Sequence, residues 1–161
     1  MPVAILDFGT NTFNLLIAEP HNSSFRILYT GKQAVKLGKG GIHKNTISKD
    51  AIDRAFSAIA AHMQIIQDHS VNEIHAYATS AIRNATNGKQ FIEQVKEKFR
   101  FETSIIDGSR EAELIYKGIR ASVDFGPDTV LILDIGGGSN EFIICDAKGI
   151  LWKHSFELGM A

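Results

Sequence analysis

The chain has 161 residues, of which 44% are hydrophobic and 22% are charged, and this composition excludes wholesale disorder. Its 17 basic and 18 acidic residues give a net charge of −1, which excludes a global basic field for binding nucleic acid. Cys145 is the single cysteine, so no intrachain disulfide forms, and the chain reads as cytoplasmic. No stretch approaches 18 uncharged apolar residues, so we expect no membrane partner.

Hydrophobic periodicity predicts strands and helices along the whole chain. In chain order they are strands 3–6, 13–18 and 25–36, a helix over 49–69 capped by Ser48, strand 73–78 followed by a turn at Thr79-Ser80, a helix over 88–99 capped by Asn87, strand 103–106, a helix over 110–123 opened by Ser109, and strands 129–133, 142–146 and 151–156. The order βββαβαβα, followed by a fresh βββ, predicts an α/β fold with a mixed sheet and helices packed on it.

The break Gly126-Pro127-Asp128 predicts a domain boundary, with one domain over 1–125 and the opening strands of a second over 126–161. The second βββ block is followed by no helices. We therefore expect the chain to be the front part of a longer two-domain protein. The unfinished second sheet is expected to expose an apolar face, which favours aggregation.

An internal repeat stands at the start of each βββ block. Residues 7–19 read DFGTNTFNLLIAE, and residues 134–146 read DIGGGSNEFIICD, and the two segments align without a gap. Each has an Asp, an apolar residue, a Gly, a small polar or glycine turn and a second apolar strand. The repeat predicts one supersecondary unit used twice.

The chemistry of this unit suits a phosphate. A tight turn between two strands points backbone N–H groups into one concavity, and glycine lets an anion approach the backbone closely. Thr10, Thr12 and Ser139 add hydroxyl donors. Asp7 and Asp134, at the strand ends, are placed to hold a hydrated Mg²⁺ ion. Asp-x-Gly alone is usually a plain β-turn, but the ungapped pair favours phosphate binding, with both hairpins clamping one phosphate chain.

The pairing of DFGTNT with DIGGGSNE resembles the actin-like ATPase superfamily, which includes sugar kinases and Hsp70. More narrowly, it resembles the exopolyphosphatase/guanosine pentaphosphate phosphohydrolase (Ppx/GppA) family. The segments ATSAIRNATN (78–87) and IIDGSREAEL (105–114), and Leu158-Gly159, resemble further family elements. The chain departs from the family pattern at Thr10 and Thr12, where Ser is usual, at Asn140, where Thr is usual, and at Arg110, where a first glutamate is common.

The resemblance implies a ribonuclease H-like fold with a mixed five-stranded sheet, and it implies functional residues. Glu111 matches the family's catalytic base, Arg83 is expected to bind phosphate oxygens, and Glu141 to orient water or hold the metal. Mg²⁺ or another divalent cation is the expected cofactor. The implied phosphate-binding residues are Gly9, Thr10, Asn11, Thr12, Gly136, Gly137, Gly138 and Ser139, and the implied metal ligands are Asp7, Asp134 and Glu141.

Simpler interpretations remain for each residue. Glu111 is also a favourable first-turn acid, Arg83 a surface arginine on a helix start, and Glu141 an edge-strand surface acid. Lysines 32, 36, 39, 44 and 49 around the Gly38–Gly41 loop form either an approach for a polyanion or an ordinary solvated loop.

The resemblance implies hydrolysis of the terminal phosphate of polyphosphate or guanosine pentaphosphate, with no nucleic-acid partner. A homodimer through a missing C-terminal part is a further expectation. The alternatives are a sugar or carboxylate kinase of the same superfamily and a non-catalytic polyphosphate or alarmone sensor. The isolated chain is expected to be weakly active, because nothing closes its cleft.

Overall fold

The computed structural model describes residues 1–22, 24–39 and 45–160. The strands are β1 (Val3–Phe8), β2 (Thr12–His21), β3 (Ser24–Ala34), β4 (Glu73–Ala78), β5 (Thr103–Ile105), β6 (Val130–Ile135), β7 (Asn140–Cys145) and β8 (Ile150–Phe156). The helices are α1 (Lys49–Asp68), α2 (Ser80–Asn84), α3 (Gly88–Phe99) and α4 (Gly108–Ser122). The one predicted element type that is wrong is the turn at Thr79-Ser80, where the chain forms the short helix α2.

Five strands form the first sheet, in the order β3-β2-β1-β4-β5. The pairs β1–β2 and β2–β3 are antiparallel, whereas β1–β4 and β4–β5 are parallel. Side chains alternate across the sheet, so Ala4, Leu6 and Phe8 are buried on one face of β1 together with alternate residues of β2. The mixed five-stranded sheet of an actin-like fold is therefore confirmed.

Helix α1 packs its apolar side on this sheet through Ala51, Ala55, Ile59 and Ile66, all of which are buried. Ser48 is its N-cap, as predicted, because the Ser48 side chain accepts a hydrogen bond from the Ala51 amide.

The predicted capping of α3 by the Asn87 side chain is wrong. Asn87 occupies the N-cap position, but its amide instead exchanges two 2.9 Å hydrogen bonds with the backbone of Ile47. Its side chain therefore fastens the segment before α1 to the start of α3.

The second compact unit spans Ile106–Ala161, and the first spans Met1–Ile105. The second holds an antiparallel sheet in the order β6-β7-β8, with α4 packed on β7 and β8. The division differs from the expected boundary at 125/126, because Ala112 of α4 shares a core with Ile143 and Cys145 of β7. Helix α4 also begins earlier than predicted: its N-cap is Asp107 and not Ser109, with the Asp107 carboxylate accepting from the Arg110 amide at 2.7 Å.

The other face of the second sheet is apolar and exposed, as expected. Leu131, Leu133 and Ile135 of β6 are 61%, 46% and 51% exposed, and Trp152 and Phe156 of β8, on the far side of β7, are exposed as well. None of the helices in the described part of the chain is long and apolar enough to cross a membrane.

Candidate functional site

The first turn of the repeat connects β1 to β2. The Gly9 amide donates to the carbonyl of Thr12 at 3.0 Å, and Asp7 lies opposite Asn14 in the ladder. A Cβ atom on Gly9 would lie 3.0 Å from the same Thr12 oxygen. Glycine at this position therefore allows the turn to close tightly. Thr10 is buried, and Asn11 at the tip of the turn is exposed.

The second turn connects β6 to β7 and closes in the same way. The Gly136 amide donates to the carbonyl of Ser139 at 2.9 Å, and Asp134 lies opposite Glu141. A Cβ atom on Gly136 would lie 2.7 Å from the Ser139 oxygen. The sequence repeat is thus a structural repeat, with Gly9 and Gly136 in equivalent positions.

The three candidate metal-binding carboxylates differ in exposure. Asp7 is half-buried and accepts a 2.9 Å hydrogen bond from Asn14 Nδ2. Asp134 is exposed at the end of β6. Glu141 is 1% exposed on the central strand β7, where its carboxylate accepts from Ser155 Oγ at 2.7 Å. Glu141 is therefore not an edge-strand surface acid.

The donor set of the second turn fits a hydrated divalent cation. Asp134 and Glu141 are cross-strand partners, and such partners hold their Cβ atoms about 4.5–5.5 Å apart. Mg²⁺ keeps most of its waters and takes one or two carboxylates, so two neighbouring acids are enough. Within the described residues no cluster of three or more His, Cys, Asp or Glu side chains forms a metal cage.

Glu111 lies half-buried in the first turn of α4, where its amide donates to the Asp107 carbonyl at 2.9 Å. Lys153 of β8 fastens this end of the helix, because its Nζ donates to the Ser109 carbonyl at 3.1 Å and to the Glu113 carboxylate. Lys153 and, secondarily, Arg110 lower the pKa of Glu113 by hydrogen bonding to its charged form. The start of α4 is therefore fixed on β8.

Arg83 lies in the short helix α2, near its C-terminal end. The Arg83 amide donates to the Thr79 carbonyl at 2.9 Å, and the Thr79 amide donates to the Phe8 carbonyl at 3.3 Å. Phe8 immediately precedes the first turn. The chain bearing Arg83 therefore starts beside that turn, and the arginine side chain is half-buried.

Three further features of the sequence concern Cys145, Trp152 and the glycine-rich loop. Cys145 is fully buried, and burial raises the pKa of its thiol, which fits an unreactive core residue. Trp152 of β8 is 48% exposed. Lys44 and residues 40–43 of the glycine-rich loop lie outside the described residues, so the lysine cluster stays a prediction.

Two contacts of the candidate metal-binding acids were missed from the sequence. Asn14 and Ser155 bind the acids Asp7 and Glu141. Gly159 lies against the second turn, where a Cβ atom would be 2.0 Å from the Gly137 oxygen. The repeat held a signal for the first, since it aligns Asn14 with Glu141.

The topology and the paired glycine turns define an α/β protein of the actin-like ATPase type. The chain belongs to the Ppx/GppA phosphatase family, whose sequence model matches residues 16–161.

Individual relatives agree with this assignment. An exopolyphosphatase from Cytophaga hutchinsonii of known crystal structure is 42% identical, with a TM-score of 0.95 over 99% of this chain and 51% of that chain. The crystal structure of the Aquifex aeolicus Ppx/GppA family member is 25% identical, with a TM-score of 0.84 over 99% of this chain and 52% of that chain. A bifunctional 3-dehydroquinate synthase/phosphatase of Fusobacterium nucleatum is 35% identical over 97% of this chain and 25% of its own length. The chain thus spans a quarter to about half of these relatives.

Proposed function

We propose that the protein, in its full length, is a phosphohydrolase that releases terminal orthophosphate from inorganic polyphosphate. The observation that carries the proposal is the pair of glycine turns, each closed by a Gly amide on the carbonyl three residues later. Family membership and the likeness to the Cytophaga hutchinsonii exopolyphosphatase support it.

The two turns are the proposed phosphate-binding elements. The Gly9 and Gly136 amides close the turns, and the backbone amides and hydroxyls of residues 10–12 and 137–139 are the hydrogen-bond donors of the kind that phosphate oxygens accept. Asp134 and Glu141, and Asp7 at the first turn, are the proposed ligands of Mg²⁺ or another divalent cation. Such an ion, when bound, neutralises charge on the phosphate oxygens.

Glu111 is the proposed general base, and Arg83 the proposed phosphate ligand. Glu111 lies at a helix N-terminus, where the helix dipole favours its ionised, proton-accepting form. The hydrogen bonds from Lys153 fix that end of the helix and so restrict where Glu111 points. The Arg83 guanidinium suits two phosphate oxygens at once.

The test is phosphate release by the full-length protein, with Mg²⁺ or with EDTA, from long-chain polyphosphate and from guanosine pentaphosphate in parallel. We expect release from polyphosphate that needs the cation and falls on the order of 100-fold or more in Glu111→Gln. Glu97→Gln is the matched control, because Glu97 is an exposed acid on α3.

Each other outcome points to a different function. Faster release from guanosine pentaphosphate would change the preferred substrate. Binding without release would favour a sensor, and no binding would favour a kinase that needs a separate acceptor. Equal loss of activity in Glu111→Gln and Glu97→Gln would show that Glu111 is not the general base.

A further inference from the structure

Residues 35–37, between β3 and α1, lie against the first turn. The amides of Val35 and Lys36 donate to the Asn11 carbonyl at 2.9 and 3.0 Å, and the Leu37 amide donates to the Thr10 carbonyl at 2.8 Å. Val35 and Leu37 are buried in the core of the first unit. The segment therefore holds both carbonyls at the tip of the turn.

These contacts also orient two amides. In a trans peptide the C=O and the following N–H point in opposite directions. With the carbonyls of Thr10 and Asn11 directed at residues 35–37, the amides of Asn11 and Thr12 point to the other side of the turn. Successive amides on one side of a turn are what an anion requires.

The side chain of Arg54, on α1, hydrogen-bonds to the backbone of residues 35 and 36. Its Nε donates to the Val35 carbonyl at 2.8 Å and its Nη2 to the Lys36 carbonyl at 2.9 Å, while Nη1 donates to the Asp50 carbonyl at 3.1 Å. Lys36 has a φ of 52°, a left-handed conformation that non-glycine residues disfavour. The segment therefore needs a support, and the planar guanidinium supplies two bonds to it at once.

We propose that Arg54 is a positioning residue for phosphate binding at the first turn. Its guanidinium nitrogens donate to backbone carbonyls, and it acts through residues 35–37 on the amides of Asn11 and Thr12. The kinetic test of this role rests on the proposed function. The geometry rests on the observed hydrogen bonds. The Arg54 side chain hydrogen-bonds to backbone carbonyls, whereas Arg83 is proposed to bind phosphate, so the two arginines differ in role.

The test compares Arg54→Lys with the wild type in the full-length protein. Lysine keeps the charge but loses the two-pronged geometry. We expect the KM for polyphosphate to rise roughly tenfold, with kcat changed by less than about threefold. Amide hydrogen exchange of Val35, Lys36 and Leu37 should accelerate, while the β1–β2 ladder keeps its protection. Arg26→Lys is the matched control, because Arg26 makes an exposed ion pair with Glu19 in the same unit.

A rescue variant separates positioning from general stability. Glycine adopts positive φ without strain, so Lys36→Gly in the Arg54→Lys background should restore the slow amide hydrogen exchange of Val35 and Leu37. A misfolded Arg54→Lys that Lys36→Gly does not restore, or a KM and exchange unchanged from wild type, would overturn the proposal. If the wild type releases no phosphate, the proposed function fails by itself. Binding of inorganic phosphate and the exchange of residues 35–37 then decide the role of Arg54.

Discussion

Ser155 Oγ donates a 2.7 Å hydrogen bond to Oε1 of Glu141, and the two residues are direct partners across β7 and β8. With Asp134 they form a polar row across three strands, at the end of the sheet that bears the second turn. The equivalent row of the first sheet is Asp7, Asn14 and Lys32. In each sheet, a row of polar side chains therefore crosses three strands next to the glycine turn.

Ser155→Ala should lower the free energy of unfolding by about 1–3 kcal/mol, because it leaves a buried carboxylate oxygen without its donor. Ser155→Thr keeps the hydroxyl and should stay much closer to wild type. Urea denaturation followed by circular dichroism measures both. Equal destabilisation by alanine and threonine would contradict the role of the hydrogen bond.

Gly159→Ala should raise the KM for polyphosphate in the full-length protein. The new Cβ atom would be 2.0 Å from the Gly137 oxygen, so either the turn or the segment after β8 must move. The Met160 amide, which donates to the Gly136 carbonyl at 3.2 Å, would move with it. Gly149→Ala is the matched control, since nothing lies within 4 Å of a Cβ atom there. Identical kinetics for the two variants would show that the close contact is irrelevant to the turn.

Local patterns were sufficient to predict much of this fold. Strand alternation and helix periodicity placed β4 and α3 at their observed bounds, and the ungapped repeat predicted two turns that close alike. Ser48 could be predicted as an N-cap because its hydrogen-bond partner, the Ala51 amide, lies in the first turn of the same helix. In each of these cases the physical cause lies within a few residues of chain.

The missed features depend on partners far along the chain. Asn87 looks like a helix cap, but Ile47, forty residues earlier, takes its amide. The division between the compact units depends on α4 packing on β7 and β8, which the Gly126-Pro127-Asp128 break does not encode. The support that Arg54 gives to residues 35 and 36 is likewise a tertiary contact, with no sequence signal.

The exposed apolar face of β6 and β8 should make this 161-residue chain self-associate. Contiguous apolar patches of this kind are rare on monomers, whereas single exposed apolar residues are common. Leu133→Lys should therefore reduce self-association in sedimentation velocity. Val123→Lys is the control, because Val123 is exposed on a different element, just after α4. A chain that stays monomeric before and after the Leu133 substitution would contradict this expectation.

His62 of α1 should make stability depend on pH. The ring is fully buried, and its Nε2–H donates to the Phe13 carbonyl at 3.1 Å, one residue beyond the first turn. The buried Nδ1 has no hydrogen-bond partner among the described residues. Burial lowers the pKa of His62 below its ordinary value of 6.5, and the bond to Phe13 offsets only part of this. Protonation inside the fold is therefore costly.

Below about pH 6.5, His62 binds a proton in the unfolded chain but not in the folded chain. The free energy of unfolding therefore falls as pH falls. The slope is at most about 1.4 kcal/mol per pH unit for one proton, and it ends at the lowered pKa. Urea titrations at pH 7.5 and 5.5 should show this loss in the wild type and a smaller loss in His62→Gln. His75→Gln, which alters an exposed histidine beside Glu73, should keep the wild-type difference. If His62→Gln keeps it as well, other groups control the acid sensitivity.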